Sequence, residues 1–199
     1  MSVIRAFIAI DLTPEIQQHV DQVLVQFKNR LAGVPVRWVP AENIHLTLKF
    51  LGEVSLSNLE MLKKILQSET ANHSPFEFSV GGVGAFPSPR HPRVVWVGIE
   101  APPDLANLQR SIETAMARLG YAKEDRPFSP HLTLGRVSRN ATSRDTHAIG
   151  DALEAMKIGF LGAANADFVH LYHSDLKPSG AIYSRIFSTP LKRAQETGG

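Results

Sequence analysis

The stretch His45-Leu-Thr-Leu-Lys-Phe-Leu-Gly52 in the first half of the chain is echoed in the second half by His131-Leu-Thr-Leu-Gly-Arg-Val137. Side chains at positions i and i+2 of a strand share a face, so each copy presents a histidine and a threonine on one side and two leucines on the other. The order of elements around each copy is also similar, with a strand and a helix before the motif and a helix and strands after it. The repeat therefore predicts two pseudo-symmetric lobes that face each other.

Helical periodicity predicts four helices around these motifs. The first is expected to be capped by Thr13 with Pro14 at its first position, and the second by a capping box between Ser57 and Glu60. The predicted helices run from Pro14 up to Gly33, from Ser57 onward, from about Asp104 to Leu119, and near Arg144–Lys157.

Short apolar or alternating runs predict the strands. They are 3–10, Val36–Val39, Ile44–Leu51, Phe76–Phe86, Arg93–Glu100, Leu132–Val137, Phe160–Ser174 and Ala181–Ser188. Glycine and proline clusters at 81–82, 87–89 and 178–180 are expected to mark bends, and the tail 193–199 is expected to fray. Short turns between neighbouring runs imply antiparallel pairing, so the predicted fold class is α+β.

Composition narrows the classes of protein. A chain of 199 residues is long enough for one domain or for two small, tightly packed lobes, and we expect a single domain of two intertwined lobes over residues 1–199. The formal net charge of +2 suits a phosphate-bearing ligand held by a local basic patch. The sequence contains no cysteine, which excludes disulfides and thiolate chemistry. No segment approaches the roughly 20 apolar residues of a spanning helix, so we expect a soluble protein of the cytoplasm.

The polar faces of the two motifs suit phosphoryl transfer. A neutral imidazole can take a proton from an attacking oxygen while a protonated one supplies a proton to the leaving oxygen. The hydroxyls of Thr47 and Thr133 can donate hydrogen bonds to phosphoryl oxygens, and Arg136 can clamp one of them. Strict alternation places Arg136 on the face opposite His131, so this role requires a bulge at Gly135 to redirect the side chain.

Two other interpretations remain open from the residues alone. One is that the repeated histidines are structural, although a core pattern gives no reason to keep histidine and threonine on a polar face. The other is a metal site, in which Glu53, Asp125 or His173 would have to join the two histidines as ligands, since catalytic zinc usually takes three protein ligands. None of these three residues has motif spacing. We expect no metal and no cofactor.

The two His-x-Thr motifs resemble the signature of the two-histidine phosphoesterases. Within that superfamily, the chain is similar to the bacterial and archaeal RNA 2′,3′-cyclic phosphodiesterases, also called 2′-5′ RNA ligases (LigT-like). The resemblance covers nearly the whole chain. The matching stretches are 5–11, Trp38–Glu53, Arg93–Gly98, Arg126–Arg136 and Leu171–Leu176 through Tyr183.

The resemblance implies the fold and the reaction. The fold would be two lobes, each an antiparallel sheet with outer helices, around a central cleft. The reaction would be the hydrolysis of RNA 2′,3′-cyclic phosphate ends, or of cyclic nucleotides, to 2′-phosphomonoesters without metal or cofactor. In this family pattern His45 is the proton donor, His131 the proton acceptor, and Thr47, Thr133 and Arg136 bind the substrate. The same machinery would allow 2′-5′ ligation, and we expect the protein to act as a monomer.

Further residues are weaker candidates for ligand contact. Aromatic side chains often stack on single-stranded RNA bases, and basic side chains at a rim would attract RNA. His170 or His173 would tune a catalytic pKa if a strand placed one of them behind the cleft. The stacking candidates are Phe7, Trp38, Phe50 and Phe128, and the rim candidates are Arg5, Lys49 and Arg126.

Overall fold

A computed structural model describes residues 2–177 and 180–192 of the chain. Residues 178–179 of the bend predicted at 178–180 and the predicted frayed tail 193–199 lie outside the described residues. The helices are α1 Pro14–Arg30, α2 Leu59–Thr70, α3 Pro103–Arg118 and α4 Ser143–Ala155, with short 3-10 turns at Ala41–Asn43 and Leu56–Asn58. The strands are β1 Val3–Ile10, β2 Val36–Trp38, β3 Leu46–Ser55, β4 Phe76–Ser88, β5 His91–Glu100, β6 His131–Val137, β7 Phe160–Ala166, β8 Phe168–Lys177 and β9 Gly180–Pro190.

The strands form two antiparallel sheets, which confirms the α+β class and the two-lobed architecture. One sheet has the order β3-β1-β8-β9 and the other β2-β6-β5-β4-β7. In each lobe the strand that carries the His-x-Thr motif pairs with the first strand of its own half, β3 with β1 and β6 with β5. Each sheet also takes strands from the other half of the chain, so the two lobes are intertwined along the sequence.

The helices form where the sequence supplies caps and an apolar stripe. The Thr13 hydroxyl accepts a hydrogen bond from the Ile16 amide at the start of α1, with Pro14 in the first turn, as predicted. One face of α1 is buried against the sheets, because its apolar side chains recur with the helical period. The buried residues of α1 are Ile16, Val20, Val23, Leu24 and Phe27.

The capping box predicted at Ser57 and Glu60 is wrong. The Ser57 hydroxyl lies 2.8 Å from that of Ser55, and Glu60 accepts a 2.7 Å bond from Lys63. The chain forms a 3-10 turn before α2 begins at Leu59, so Ser57 precedes the helix by two residues. A capping box does form at the start of α4, where Thr142 and Asp145 satisfy each other's backbone amides.

The long strand predicted over 160–174 is two strands in different sheets. β7 pairs with β4 in one sheet and β8 pairs with β1 in the other, and Asp167 is the single residue between them. The carbonyl of Asp167 accepts a hydrogen bond from the Leu191 amide. No glycine or proline lies at Asp167, where the chain passes from one sheet to the other. The sequence pattern therefore predicted one continuous strand.

The leucines of both motifs lie in the core, as their phase predicted. Leu46 and Leu132 are fully buried, and Leu48 and Leu134 are buried as well. Gly81-Gly82, expected as a bend, is a bulge inside β4, where the register with β5 shifts between Gly81 and Val83. Among the helices of residues 2–177 and 180–192, none is both long enough and apolar enough to cross a membrane.

Candidate active site

His45 immediately precedes β3 and His131 is the first residue of β6, and the two histidines share one local geometry. His45 Nδ1 lies 2.9 Å from the carbonyl oxygen of Asn43, and His131 Nδ1 lies 2.8 Å from that of Ser129. A carbonyl oxygen only accepts, so Nδ1 carries the hydrogen in each ring and the neutral form leaves Nε2 with a free lone pair. The two imidazoles are therefore held in the same tautomer by a carbonyl two residues earlier.

Each motif strand contains a bulge immediately after its threonine. Leu48 has no partner in the register between β3 and β1, and Leu134 has none between β6 and β5. A bulge adds one residue, so alternation resumes out of phase and side chains beyond it change face. The redirection that Arg136 required is thus present, although its unpaired residue is Leu134 rather than Gly135.

The bulges decide which of the next side chains reach the cleft. Lys49 and Gly135, directly after the bulges, are buried. Phe50 and Arg136, one residue further, are exposed and line a common cavity. Phe50 and Arg136 therefore occupy equivalent positions in the two lobes.

This cavity brings most of the predicted site residues together. Its volume is about 60 Å³ and it is open to solvent. It is lined by Phe7, Val39, Asn43, Ile44, His45, Thr47, Phe50, Thr133, Arg136 and Tyr183. Thr47 from one lobe and Thr133 from the other thus meet across the cleft. His131 lies outside the lining, two residues before Thr133 on the same face of β6.

Aromatic rings surround both histidines. The His45 ring has its centroid 4.6 Å from that of Tyr172 and 6.1 Å from that of Phe7. The His131 ring meets Phe86 edge-on with centroids 4.8 Å apart. Because these rings exclude water, they lower the local dielectric and strengthen hydrogen bonds made to a bound phosphate.

Asp11 is a residue of the site that the sequence analysis missed. One of its carboxylate oxygens lies 3.7 Å from His45 Nε2 and accepts a 2.6 Å hydrogen bond from the Tyr172 hydroxyl. The other lies 3.5 Å from His170 Nε2 and accepts a 3.3 Å hydrogen bond from Arg185. In the sequence Asp11 only closes the first strand. The signal was its place at the end of a buried strand, but Tyr172, His170 and Arg185 are more than 150 residues away.

Burial and neighbouring charges shift the pKa values of the two histidines. Burial lowers the pKa of His45 below its ordinary value, while its bond to Asn43 and the Asp11 carboxylate oppose this and Arg185 adds to it. Burial also lowers the pKa of His131, with the bond to Ser129 opposing and the Arg136 guanidinium adding to the decrease. The Asp11 carboxylate therefore raises the pKa of His45, whereas the Arg136 guanidinium lowers the pKa of His131 with no carboxylate to oppose it.

The sequence left open whether His170 or His173 lies behind the cleft. In the structure it is His170, next to Asp11. Burial lowers the pKa of His170, the Asp11 carboxylate opposes this decrease, and its Nδ1 lies 2.8 Å from the Ser188 hydroxyl. The same burial, together with the hydrogen bond to Asp11, raises the pKa of Tyr172 far above its ordinary value. Tyr172 therefore stays a hydrogen-bond donor to Asp11 at any physiological pH.

The weaker candidates divide between cleft, core and surface. Phe7 is buried beneath the cleft, while Trp38 packs against Phe27 with ring centroids 6.2 Å apart, and Phe128 is packed against the core. The expectation that Lys49 lies at a basic rim is wrong. The bulge at Leu48 turns Lys49 inward, where it donates 2.8 Å hydrogen bonds to Glu113 and to the Ala122 carbonyl. Arg5 and Arg126 are exposed, as a rim requires.

Two further features bear on other kinds of site. Within residues 2–177 and 180–192, no group of three or more histidine, aspartate or glutamate side chains is arranged to hold a metal ion. A larger cavity of about 340 Å³ lies between α2 and α3, lined in part by Glu69, His73, Arg110 and Arg118. We place the chemistry in the smaller cavity, because that one contains His45, Thr47, Thr133 and Arg136.

Each lobe holds an imidazole and a threonine on one face of its motif strand, and His45, both threonines and Arg136 line one cavity. This arrangement defines a phosphoesterase of the two-histidine class. The family model described as LigT like Phosphoesterase matches the chain twice, over residues 10–96 and 97–183. The chain belongs to this LigT-like family. His45 lies 35 residues into the first match and His131 lies 34 residues into the second, which fits the repeat found in the sequence.

Named relatives and solved structures agree with this assignment. The RNA 2',3'-cyclic phosphodiesterase of Methanothermobacter thermautotrophicus is 37% identical over 183 residues, covering 91% of this chain and 95% of the relative. The RNA 2',3'-cyclic phosphodiesterase of Archaeoglobus fulgidus is 36% identical, covering 92% of this chain and 99% of the relative. The crystal structure of E. coli LigT complexed with 3'-AMP superposes with a TM-score of 0.77 at 26% identity, covering 96% of this chain and all of that one.

Proposed function

We propose that this protein hydrolyses the 2′,3′-cyclic phosphate at the end of RNA, or in a cyclic nucleotide, to a 2′-phosphomonoester. The observation that carries the proposal is the pair of equivalent imidazoles, each with Nδ1 bound to a carbonyl and each two residues before a threonine that lines the cavity with Arg136. The names of the relatives support RNA cyclic phosphate as the substrate class.

The two histidines divide the proton transfers. Neutral His131 accepts a proton from water through Nε2 as the water oxygen forms its bond to phosphorus. Protonated His45 donates its Nε2 proton to O3′ as the bond between phosphorus and O3′ breaks. The Asp11 carboxylate favours the cationic form of His45, and the Arg136 guanidinium favours the neutral form of His131. These opposite influences support His45 as donor and His131 as acceptor.

The remaining cleft groups stabilise the phosphoryl oxygens. The hydroxyls of Thr47 and Thr133 donate hydrogen bonds, and the Arg136 guanidinium binds one or two oxygens in its planar fork. These donors are already in place before the charge develops, so they need little reorganisation in the transition state.

The same two proton transfers serve ligation when a 5′-hydroxyl takes the place of water. Attack by that hydroxyl would leave a 2′-5′ linkage and a free 3′-hydroxyl. Since water is present at ~55 M, hydrolysis outruns ligation unless the 5′-hydroxyl end is held beside the cyclic phosphate. We further propose that the chain is one domain, because each sheet takes strands from both halves. We also propose that it acts as a monomer.

The test is to incubate the protein with 2′,3′-cyclic AMP in excess EDTA and to identify the product by chromatography against 2′-AMP and 3′-AMP. We expect 2′-AMP to form at the same rate with and without the chelator. Turnover that stops with EDTA and returns with zinc or manganese would indicate a metallohydrolase. Tight binding without turnover of this or any cyclic-phosphate RNA end would indicate a binding module and would end the proposal.

A further inference from the structure

A second arginine, Arg37 of β2, lies beside Arg136 on the neighbouring strand. The two residues pair directly in the register of β2 with β6, and both are exposed. Directly paired residues of an antiparallel sheet share a face, with Cβ atoms about 4.5–5.5 Å apart. The face of Arg37 is fixed by its neighbours, because Val36 and Trp38 both lie against Gly135 on the buried side. The two guanidinium groups are therefore carried side by side on the cleft face of the sheet.

Two adjacent guanidinium groups repel each other unless an anion binds between or beside them. Like charges at directly paired positions of a sheet are destabilising. In the part of the chain that the structure describes, neither Arg37 nor Arg136 forms an ion pair with a carboxylate. Phosphate groups match such a pair, because each planar guanidinium can bind two phosphate oxygens at once. The pair therefore disfavours the free protein and favours the complex with a phosphate-bearing ligand.

The positions of the two arginines suit two different phosphates. Arg136 lines the cavity together with Thr47 and Thr133, whereas Arg37 lies outside that lining. Neighbouring strands are ~4.8 Å apart, so the backbone of Arg37 is displaced by one strand spacing from the strand that carries Thr133. Among the described strands, β2 is an edge strand with β6 as its neighbour. A nucleic acid chain that crosses this edge would place one phosphate at Arg37 and its end in the cavity.

We propose that Arg37 is a second phosphate site, which binds the phosphodiester preceding the nucleotide with the cyclic phosphate. This inference rests on the proposed function, in which Arg136 binds the cyclic phosphate itself. A cyclic mononucleotide has a single phosphate and leaves Arg37 without a ligand. An RNA end has a further phosphate one nucleotide away, and this phosphate relieves the repulsion between the two arginines. Arg37 thus makes the site selective for an RNA end over a cyclic mononucleotide.

The test compares two substrates that differ in one negative charge. The first is the dinucleotide ApA with a terminal 2′,3′-cyclic phosphate, and the second is the same dinucleotide with an uncharged methylphosphonate between its nucleosides. For each protein we take the ratio of kcat/KM on the charged dinucleotide to kcat/KM on the uncharged one. In the unmodified protein this ratio should be on the order of 10, corresponding to ~1.4 kcal/mol, and in Arg37→Met it should fall to about 1.

Further measurements separate a phosphate contact from a change in folding. Arg37→Lys keeps the charge without the planar fork, so its ratio should be intermediate. In Arg37→Met, the plot of log(kcat/KM) on the charged dinucleotide against log of the salt concentration should lose about 0.7 of its slope, as for one phosphate contact. The melting temperature of Arg37→Met should not fall, because one of two like charges is removed. The matched control is Arg144→Met, at an exposed position of α4 outside the cavity lining, which should keep the ratio.

Each outcome decides for or against the second phosphate site. A ratio near 1 in the unmodified protein overturns it, because the internal phosphodiester then makes no contact through its charge. An Arg37→Met ratio equal to that of the unmodified protein overturns it too, whether both rates fall together or neither changes. If the unmodified protein hydrolyses neither dinucleotide nor 2′,3′-cyclic AMP, the proposed function itself fails. Hydrolysis of 2′,3′-cyclic AMP with a ratio near 1 would leave the proposed function intact and remove the role of Arg37.

Discussion

The strands β3 and β6 are copies of one another that differ in the charge around their histidines. An imidazole lies directly before β3 and at the first residue of β6, each bound through Nδ1 to the carbonyl two residues earlier, and each strand bulges after its threonine. Beside the first imidazole lies the carboxylate of Asp11, and beside the second acts the guanidinium of Arg136. Burial lowers the pKa of both imidazoles, but a carboxylate opposes this decrease only at His45, and this difference is the basis of the proposed donor and acceptor roles.

Removal of either histidine should have the largest effect. General acid or base catalysis contributes about 10²–10⁴-fold, so His45→Ala and His131→Ala should each lower kcat on 2′,3′-cyclic AMP by that factor. The kcat of the double variant should be little lower than that of the less active single variant, because the two groups act in the same step. His147→Ala, at an exposed position of α4, is the control and should retain full activity.

A change of leaving group distinguishes the two histidines. A substrate with sulfur in place of O3′ expels a thiolate, which needs far less help from an acid, since a thiol has a pKa near 8.5. His45→Ala should recover much of its lost rate on this substrate, whereas His131→Ala should not. Recovery by His131→Ala alone would reverse the donor and acceptor roles.

Arg136 should have the next largest effect. Loss of a hydrogen bond to a charged group costs about 1.5–3 kcal/mol, so Arg136→Met should lower kcat/KM about 10- to 150-fold. Arg136→Lys should be intermediate, because it keeps the charge but not the planar fork. Arg139→Met, at an exposed site after β6, serves as control.

The same Arg136 variant should change the pH dependence in a defined direction. The guanidinium lowers the pKa of His131, so its removal raises that pKa. A general base must be neutral, so the rising acid limb of the pH–rate profile should move to higher pH in Arg136→Met. An acid limb that stays in place would show that His131 is not the base.

The sequence predicted the repeated motif and its phase, but not the surroundings of each copy. Alternation alone placed Thr47 and Thr133 on one face and the leucines in the core. It misplaced Lys49, since a bulge depends on how β3 pairs with β1 and not on the residues of β3 alone. Asp11 was missed because its partners Tyr172 and Arg185 arrive through the pairing of β1, β8 and β9. Such long-range contacts leave no periodic trace in one chain.

Changes at Asp11 should shift the other limb of the profile, with a several-fold effect on rate. The Asp11 carboxylate raises the pKa of His45, so Asp11→Asn should lower it. A general acid must be protonated, so the falling alkaline limb should move to lower pH. Arg185 lowers the pKa of His45, so Arg185→Gln should move the same limb to higher pH.

A loss of folding would not move the alkaline limb in opposite directions in Asp11→Asn and Arg185→Gln. Two movements in the same direction, or none, would contradict the role of Asp11 as a positioning and charge-setting residue for His45. The rate at the optimum and the KM should be measured as well, because a purely structural role changes the amplitude of the profile and leaves its limbs in place.

The smallest effect concerns the stability contributed by the buried position after each bulge, which is a lysine in β3 and a glycine in β6. Lys49 turns inward and pairs with Glu113, whereas Gly135 lies beneath Trp38 and Val36. A Cβ at position 135 would lie 2.7 Å from both the Trp38 ring and the Val36 side chain. Overpacking of this kind costs about 1–3 kcal/mol, so Gly135→Ala should lower the free energy of unfolding by that amount in urea titration.

The control for this change is Gly159→Ala, where an added Cβ has no neighbour within 4 Å. If both variants are equally stable, the strand can shift beneath Trp38 without cost. The β6 bulge would then depend less on glycine than the comparison with β3 indicates. A loss in Gly135→Ala together with reduced kcat/KM would show that the contact with Trp38 also sets the position of Arg136, because the guanidinium is attached to the next residue along the strand.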